Sequence, residues 1–200
     1  TDATDLMPLS QVYRQRPKPT WIFPNGPLEI QIGPQMIGRG WFDIDLALIK
    51  RCVQANTPEA LADAFPQDLS NVRQTAFDLI AELNIPLSNL FLGGFSQGAV
   101  LAADVTLSLL ESVKGLIVLS GILVNPVQWT QLASNHAGMH FFQSHGIYDP
   151  ILPFTNAKEL EALFLKAKLQ GTLHEFAGGH DIPQSILLKL QHFLKQRMGS

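Results

Sequence analysis

Short apolar runs alternate with longer helical patterns along most of this chain. Leu90-Phe91-Leu92 reads as a short buried strand that stops at Gly93-Gly94. Leu116-Ile117-Val118-Leu119 and Met139-His140-Phe141-Phe142-Gln143 read the same way, ending at Ser120-Gly121 and Ser144-His145-Gly146. Thr172 to Phe176 alternates like a strand. Thr20-Trp21-Ile22-Phe23 predicts another, cut off by Pro24-Asn25-Gly26. Between these runs the spacing turns helical. From Asp68 to Asn84, Leu69, Val72, Ala76, Leu79, Ile80 and Leu83 recur three or four apart, with Asp68 as cap and Pro86 as stop. Gln97 to Glu111 predicts an apolar helix. Phe154 to Gln170 predicts an amphipathic one, with Lys158, Glu159, Glu161, Lys166 and Lys168 on its wet side, and Ile182 to Arg197 closes as a helix.

Strand, helix, strand, helix implies right-handed crossovers and a mostly parallel sheet with helices on both faces, an α/β fold. The continuously apolar strands agree, because a sheet covered on both sides hides both faces of each strand. There is no repeat or low-complexity tract, and residues 1–200 read as a single domain. The stretch 28–67 fits the pattern poorly. It holds Gly33-Pro34, Gly38, Gly40 and Pro58, and reads as loop, a short helix and a candidate lid. In sheets of this kind ligands sit beyond the carboxyl ends of the strands, so the chemistry is expected there.

Composition narrows the function classes. Of the 200 residues, 46% are hydrophobic and 16% charged, enough for one sizeable core and unlike a disordered chain. Lys plus Arg is 14 against 17 for Asp plus Glu, a net charge of −3, which leaves no basic field for a nucleic acid. No apolar run reaches the ~18 residues of a membrane span. Cys52 is the single cysteine, so an intrachain disulfide and a thiolate zinc site are excluded, and the composition suits a reducing compartment. The start, Thr1-Asp2-Ala3-Thr4-Asp5, is polar and acidic rather than a secretory signal, and the expected location is cytoplasmic. Met198-Gly199-Ser200 follows the last helix and carries no weight in this reading.

The sharpest chemical signal follows the Leu90 strand. Gly93-Gly94-Phe95-Ser96-Gln97-Gly98-Ala99 is a Gly-x-Ser-x-Gly pattern between a strand and a helix. A serine on such a sharp turn has an exposed hydroxyl, and glycines two before and two after keep Cβ atoms out of the crowded bend. The helix that follows offers its N-terminus, so the Gln97 amide is the candidate oxyanion donor. A glycine-rich phosphate cradle is the competing reading, but no lysine follows the glycines.

A nucleophilic hydroxyl needs a base, and the base needs an orienting carboxylate. The chain holds His136, His140, His145, His174, His180 and His192. His180 lies in Ala177-Gly178-Gly179-His180-Asp181, just past a strand, where glycines let a ring approach the serine. His174 lies within a strand and His192 on the last helix, where packing or surface roles are the common fate. His136 and His140 precede or lie within the Met139 strand. His145 also follows a strand and is the rival base. It precedes the best acid, Asp149 of Ser144-His145-Gly146-Ile147-Tyr148-Asp149-Pro150, and is read as a residue that shapes the turn behind the site. Asp181 adjoins His180, Asp104 is in a helix interior, and Asp43 and Asp45 come too early for the order Ser, Asp, His.

Taken together these segments resemble the phospholipase/carboxylesterase family of small α/β-hydrolases, which includes the acyl-protein thioesterases. The resemblance rests on Phe23-Pro24-Asn25-Gly26-Pro27, Gly40-Trp41-Phe42-Asp43-Ile44, Gly93 to Ala99, His145-Gly146-Ile147-Tyr148-Asp149-Pro150-Ile151-Leu152-Pro153 and Gly178-Gly179-His180, in that order. It implies Ser96 as nucleophile, Asp149 as acid and His180 as base, the same three that the residues select. Two departures stand out. The family opens with strands leading into a Leu-His-Gly-Leu-Gly-type loop that supplies a second oxyanion amide, and nothing of the kind precedes Thr1. Roughly two dozen residues of the pattern are thus expected to be absent, whether by truncation, an incomplete sequence or divergence. Gly26 stands where the family usually has alanine.

The expected reaction is hydrolysis of a carboxylic ester or thioester through an acyl-enzyme, with no cofactor or metal. The expected partner is a small acyl ester or lipid-like substrate. Ile30, Ile32, Met36, Ile37, Trp41 and Phe42 are candidates for an acyl groove or for core. Trp41 and Phe42, with Phe95, Ile151 and Leu152, are the candidate substrate contacts. The resemblance also allows a homodimer. The alternative reading is a hydrolase-like binding protein with an incomplete oxyanion hole, against which the presence of all three triad residues argues.

Overall fold

The structure is a computed structural model that describes residues 3–13, 15–33, 36–55, 57–66 and 68–199. It has two compact units, Thr1–Asp43 with Pro183–Ser200, and Ile44–Ile182.

The first unit opens with a helical turn, α1 (Ala3–Leu6), followed by a 3₁₀ turn at Met7–Gln11. An antiparallel hairpin then pairs β1 (Leu28–Gly33) with β2 (Met36–Gly40), Leu28 opposite Gly40 and Glu29 opposite Arg39. The Arg39 guanidinium ties the hairpin to the preceding turn, donating to the carbonyls of Gly26 and Pro27 at 3.0 Å each. A Cβ at Gly26 would run into the Gly40 carbonyl, which accounts for glycine at this position. The last helix, α7 (Gln184–Met198), buries Ile186, Leu190 and Leu194, four residues apart.

The hairpin corrects the loop reading of 28–67. Leu28, Ile30 and Ile32 alternate with polar residues, which is a strand signal. Gly33-Pro34 interrupts that signal, and Gly38 and Gly40 dilute its partner. The short helix expected in the stretch is α2 (Leu46–Ala55), which buries Ile49 and Cys52, and a 3₁₀ segment runs over Pro58–Ala64. The strand expected at Thr20–Phe23 does not form, and residues 18–26 carry no regular element. Pro19 and Pro24 bracket the run and remove ladder donors. Trp21 and Phe23 instead stack on each other at 5.9 Å.

In the second unit α3 (Ser70–Glu82) precedes a four-stranded parallel sheet with helices around it. The strands are β3 (Phe91–Phe95), β4 (Gly115–Leu119), β5 (His140–Gly146) and β6 (Gln170–Phe176), in the spatial order β3-β4-β5-β6. The intervening helices are α4 (Gln97–Ser108), α5 (Pro126–Ala133) and α6 (Phe154–Lys166), and α3 to α6 pack in series. Consecutive parallel strands joined by right-handed crossovers put α4, α5 and α6 on one face of the sheet. Asp68 is not the N-cap expected for α3: Leu69 holds that position without a side-chain bond, and Asp68 instead closes a local turn just before the helix, accepting from the Ser70 amide at 2.8 Å and the Ser70 hydroxyl at 3.0 Å. Every residue of β4 is buried, as its unbroken apolar run requires.

Two strands run past their apolar runs. The pairs Gly94–Val118 and Phe95–Leu119 carry β3 through its glycines, and Gly146–Phe176 carries β5 to its end. Ladder pairing outweighs the low strand preference of glycine. Ser96 therefore follows immediately on a strand, and Asp149 comes three residues after one.

A buried polar knot fixes the helical layer. Asp104 of α4 is fully buried and accepts from Arg73 Nε at 2.7 Å, Arg73 Nη2 at 3.2 Å and Trp129 Nε1 at 2.9 Å, joining α3, α4 and α5. Asp104→Ala should leave a buried indole N–H unpaired and an arginine with little water to turn to. The expected loss is about 3 kcal/mol, the low end for breaking a buried pair, since the Arg73 side chain keeps 16% exposure. Urea unfolding should show a lower midpoint at unchanged slope. An unchanged midpoint would contradict this account of the knot.

Candidate active site

Ser96 sits at φ 55° and ψ −120°, between β3 and α4. This backbone is strained for any residue with a Cβ, by about 1–3 kcal/mol. Three bonds hold it there. The Ser96 amide donates to the Leu119 carbonyl at 2.9 Å, and its carbonyl accepts from Ala99 at 3.0 Å and Val100 at 3.1 Å. The turn is tight enough that a Cβ at Gly94 would collide with the Gly98 carbonyl. Residues Ala99 to Leu107 of α4 are buried, so the helix cannot slide to relax the turn. Gln97 is the first residue of that helix and is half-buried.

Asp149 lies in the turn after β5, its amide bonded to the Gly146 carbonyl at 3.2 Å. Its carboxylate is fully buried and saturated with donors. Oδ1 accepts from the Ile151 and Leu152 amides, both at 2.9 Å. Oδ2 lies 2.6 Å from His180 Nδ1 and 3.3 Å from His145 Nε2. Burial works against the charged form, but the hydrogen bonds from His145, His180 and the Leu152 amide outweigh it. They hold the Asp149 carboxyl well below the usual carboxylate range.

His180 arrives on the loop after β6. That loop is tied to the Asp149 turn, because the Ile147 amide donates to the Phe176 carbonyl and the Tyr148 amide to the Gly178 carbonyl, each at 3.0 Å. Gly146 makes the approach possible, since a Cβ there would strike the carbonyl oxygens of Gly178 and Gly179. The His180 side chain keeps 12% exposure, and its ring lies tilted against Phe95, 4.7 Å between centroids. Phe95 immediately precedes Ser96, so the ring that carries Nδ1 to Asp149 is packed beside the serine's turn. With Nδ1 donating to Asp149, Nε2 is the nitrogen left to receive a proton.

Three other histidines have different partners. His136 is buried, with Nδ1 3.0 Å from the Ser112 hydroxyl and Nε2 3.1 Å from the Leu107 carbonyl. His174 is half-buried against the Phe142 ring, and His192 is exposed on α7, 2.8 Å from Gln196. Of the candidate substrate contacts, Phe95 packs on His180 and Ile151 is 40% exposed, its amide on Asp149. Leu152 is buried, and its backbone bonds both Asp149 and His145. Trp41 and Phe42 belong to the first unit, Trp41 half-buried and Phe42 buried. The backbone grip on Asp149 and the role of Gly146 were not read from sequence, although an aspartate just before Pro150 is a known former of such turns. Among the described residues no group of three or more His, Cys, Asp or Glu side chains could hold a metal ion. Among them, too, no helix is long and apolar enough to cross a membrane.

Residues 4–198 match the family model described as phospholipase/carboxylesterase. The chain belongs to the phospholipase/carboxylesterase family. Membership makes it a hydrolase of the esterase type. Acyl-protein thioesterase 1 of Debaryomyces hansenii is 29% identical over 182 residues, covering 87% of this chain and 74% of that protein. Acyl-protein thioesterase 1 of Candida albicans is 28% identical over 152 residues, and that match spans 72% of this chain and 62% of the relative, less than two thirds of its length. Among solved structures, esterase PE8 superposes with a TM-score of 0.75 at 26% identity, covering 98% of this chain and 87% of that one. This phospholipase/carboxylesterase family member thus has the α/β-hydrolase fold.

Proposed function

We propose that this protein hydrolyses carboxylic esters or thioesters through a Ser96–His180–Asp149 triad. The observation that carries the reading is the 2.6 Å contact between His180 Nδ1 and a fully buried, four-donor Asp149, on a ring packed beside the strained Ser96 turn. In this reading His180 Nε2 takes the hydroxyl proton as Ser96 Oγ bonds to the acyl carbon. The Gln97 amide at the start of α4 stabilises the oxyanion, and His180 returns the proton to the departing alcohol or thiol. Water, deprotonated by the same nitrogen, then releases the acid and restores the serine. The apolar side chains around the acid, Ile147, Tyr148 and Ile151, are 37%, 70% and 40% exposed and suit an acyl chain better than a charged leaving group. The names of the yeast relatives favour a thioester among the substrates.

A fluorophosphonate probe tests the reading directly. The adduct should map by peptide mass spectrometry to Ser96, and His180→Ala should abolish it. Absence of labelling on the folded protein, or labelling at another serine, would sink the proposal.

A further inference from the structure

His145 is a buried titratable side chain that the proposed reaction does not use. Its ring is wholly inaccessible, at the penultimate residue of strand β5, four residues before Asp149. Nε2 faces two oxygens, the Leu152 carbonyl at 2.8 Å and Asp149 Oδ2 at 3.3 Å. Both can only accept, which assigns the ring hydrogen to Nε2 and makes the contact three-centred. Among the described residues Nδ1 has no hydrogen-bond partner, so Nε2 is the polar atom through which the ring acts. The two acceptors lie at opposite ends of one short turn, whose amides in turn hold Asp149 Oδ1. A single N–H therefore closes the turn and touches the oxygen that His180 uses.

We propose that His145 is a positioning residue for the Asp149–His180 pair, its shared N–H fixing the rotation of the carboxylate so that Oδ2 stays aimed at His180 Nδ1. The proposal rests on the triad reading above. A carboxylate held by two amides on one oxygen can still swing the other, and a small misplacement of a base costs turnover far more than binding. The donor is what matters, not the ring. Glutamine carries its amide nitrogen the same number of bonds from Cβ as imidazole Nε2, so it can reach both oxygens. Asparagine is one bond too short, and leucine has no donor.

The test compares kcat and KM for p-nitrophenyl butyrate in the wild type, His145→Gln, His145→Leu and His180→Ala, with thermal unfolding to confirm that each variant is folded. His145→Leu should lose about tenfold to a hundredfold in kcat with KM changed by less than about twofold. His145→Gln should regain most of that loss, which a role confined to ring packing would not allow. Wild-type kcat in His145→Leu, or a folded His145→Gln as slow as His145→Leu, overturns the proposal. If His145→Leu does not fold, His145→Asn replaces it: kcat kept in Gln and lost in Asn supports the shared donor, and equal kcat in the two overturns it. His180→Ala separates the two levels. Full turnover in that variant brings down the triad reading itself, whatever His145 does.

Discussion

Replacing Ser96 by alanine should lower kcat by a factor on the order of 10⁴–10⁶, the range seen when a member of a serine-hydrolase triad is removed. The loss should come without a loss of fold. Alanine keeps the Cβ, so the strain at φ 55° is the same before and after. The bonds that build the turn are all backbone: Ser96 amide to Leu119, and Ala99 and Val100 amides to the Ser96 carbonyl. None uses the hydroxyl. The variant should therefore unfold at nearly the wild-type temperature, within the small range typical of a substitution that breaks no contact. Ester turnover and thermal unfolding measured side by side decide it. A stable variant with near wild-type turnover would remove Ser96 from the reaction. An inactive variant that is also unfolded would show instead that the turn depends on the hydroxyl in a way the bond pattern excludes.

Ser96, Asp149 and His180 stand out as candidates in the sequence because each follows a strand and each carries local punctuation: Gly-x-Ser-x-Gly, Asp-Pro and Gly-Gly-His. Parallel pairing then converts three separate strand ends into one edge, with β3, β5 and β6 in one sheet. What stayed hidden has a common character. The hairpin of β1 and β2 depends on pairing between two glycine-bearing segments, the first with a short alternation cut off by Gly33-Pro34 and the second with its pattern diluted by Gly38 and Gly40. The Thr20 run looks like a strand alone but has no pairing partner among the described residues. The turn around Asp149 depends on amides, which carry no residue identity, so the sequence points to the acid but not to the Ile151 and Leu152 donors that hold it. His145 was readable as a turn-shaping residue; its shared hydrogen was not, because it requires the Leu152 carbonyl and Asp149 Oδ2 to be placed in space.

Asp149→Asn should lower kcat by about 10⁴-fold while leaving the turn in place, the effect of giving a triad histidine the wrong tautomer. The bond pattern dictates how. Two amides point at the Oδ1 position, so the asparagine oxygen must occupy it and the amide nitrogen must take the place of Oδ2. An NH₂ group then faces His180 Nδ1, which now donates. Two donors cannot share that line, so His180 moves its hydrogen to Nε2 and accepts on Nδ1. The nitrogen that should take the Ser96 proton is then already protonated. KM should change little, because no group of the substrate meets this oxygen.

The same substitution carries a pH signature. The folded-state value of Asp149 is depressed below its ordinary 3.8, so the carboxylate contributes stability that is fully present above that value and is lost as the pH falls towards the folded-state value. The stability gap between wild type and Asp149→Asn should thus be largest near neutrality and shrink once the pH drops below 3.8. The order of these events also bears on catalysis. A carboxylate held this far down stays charged while the rest of the acidic range is crossed, so loss of turnover between pH 7 and 5 cannot come from protonating Asp149, and must arise at another group. A variant with kcat within tenfold of wild type would show that the 2.6 Å contact does not orient the base, and the reading of Asp149 as the triad's acid would fall with it.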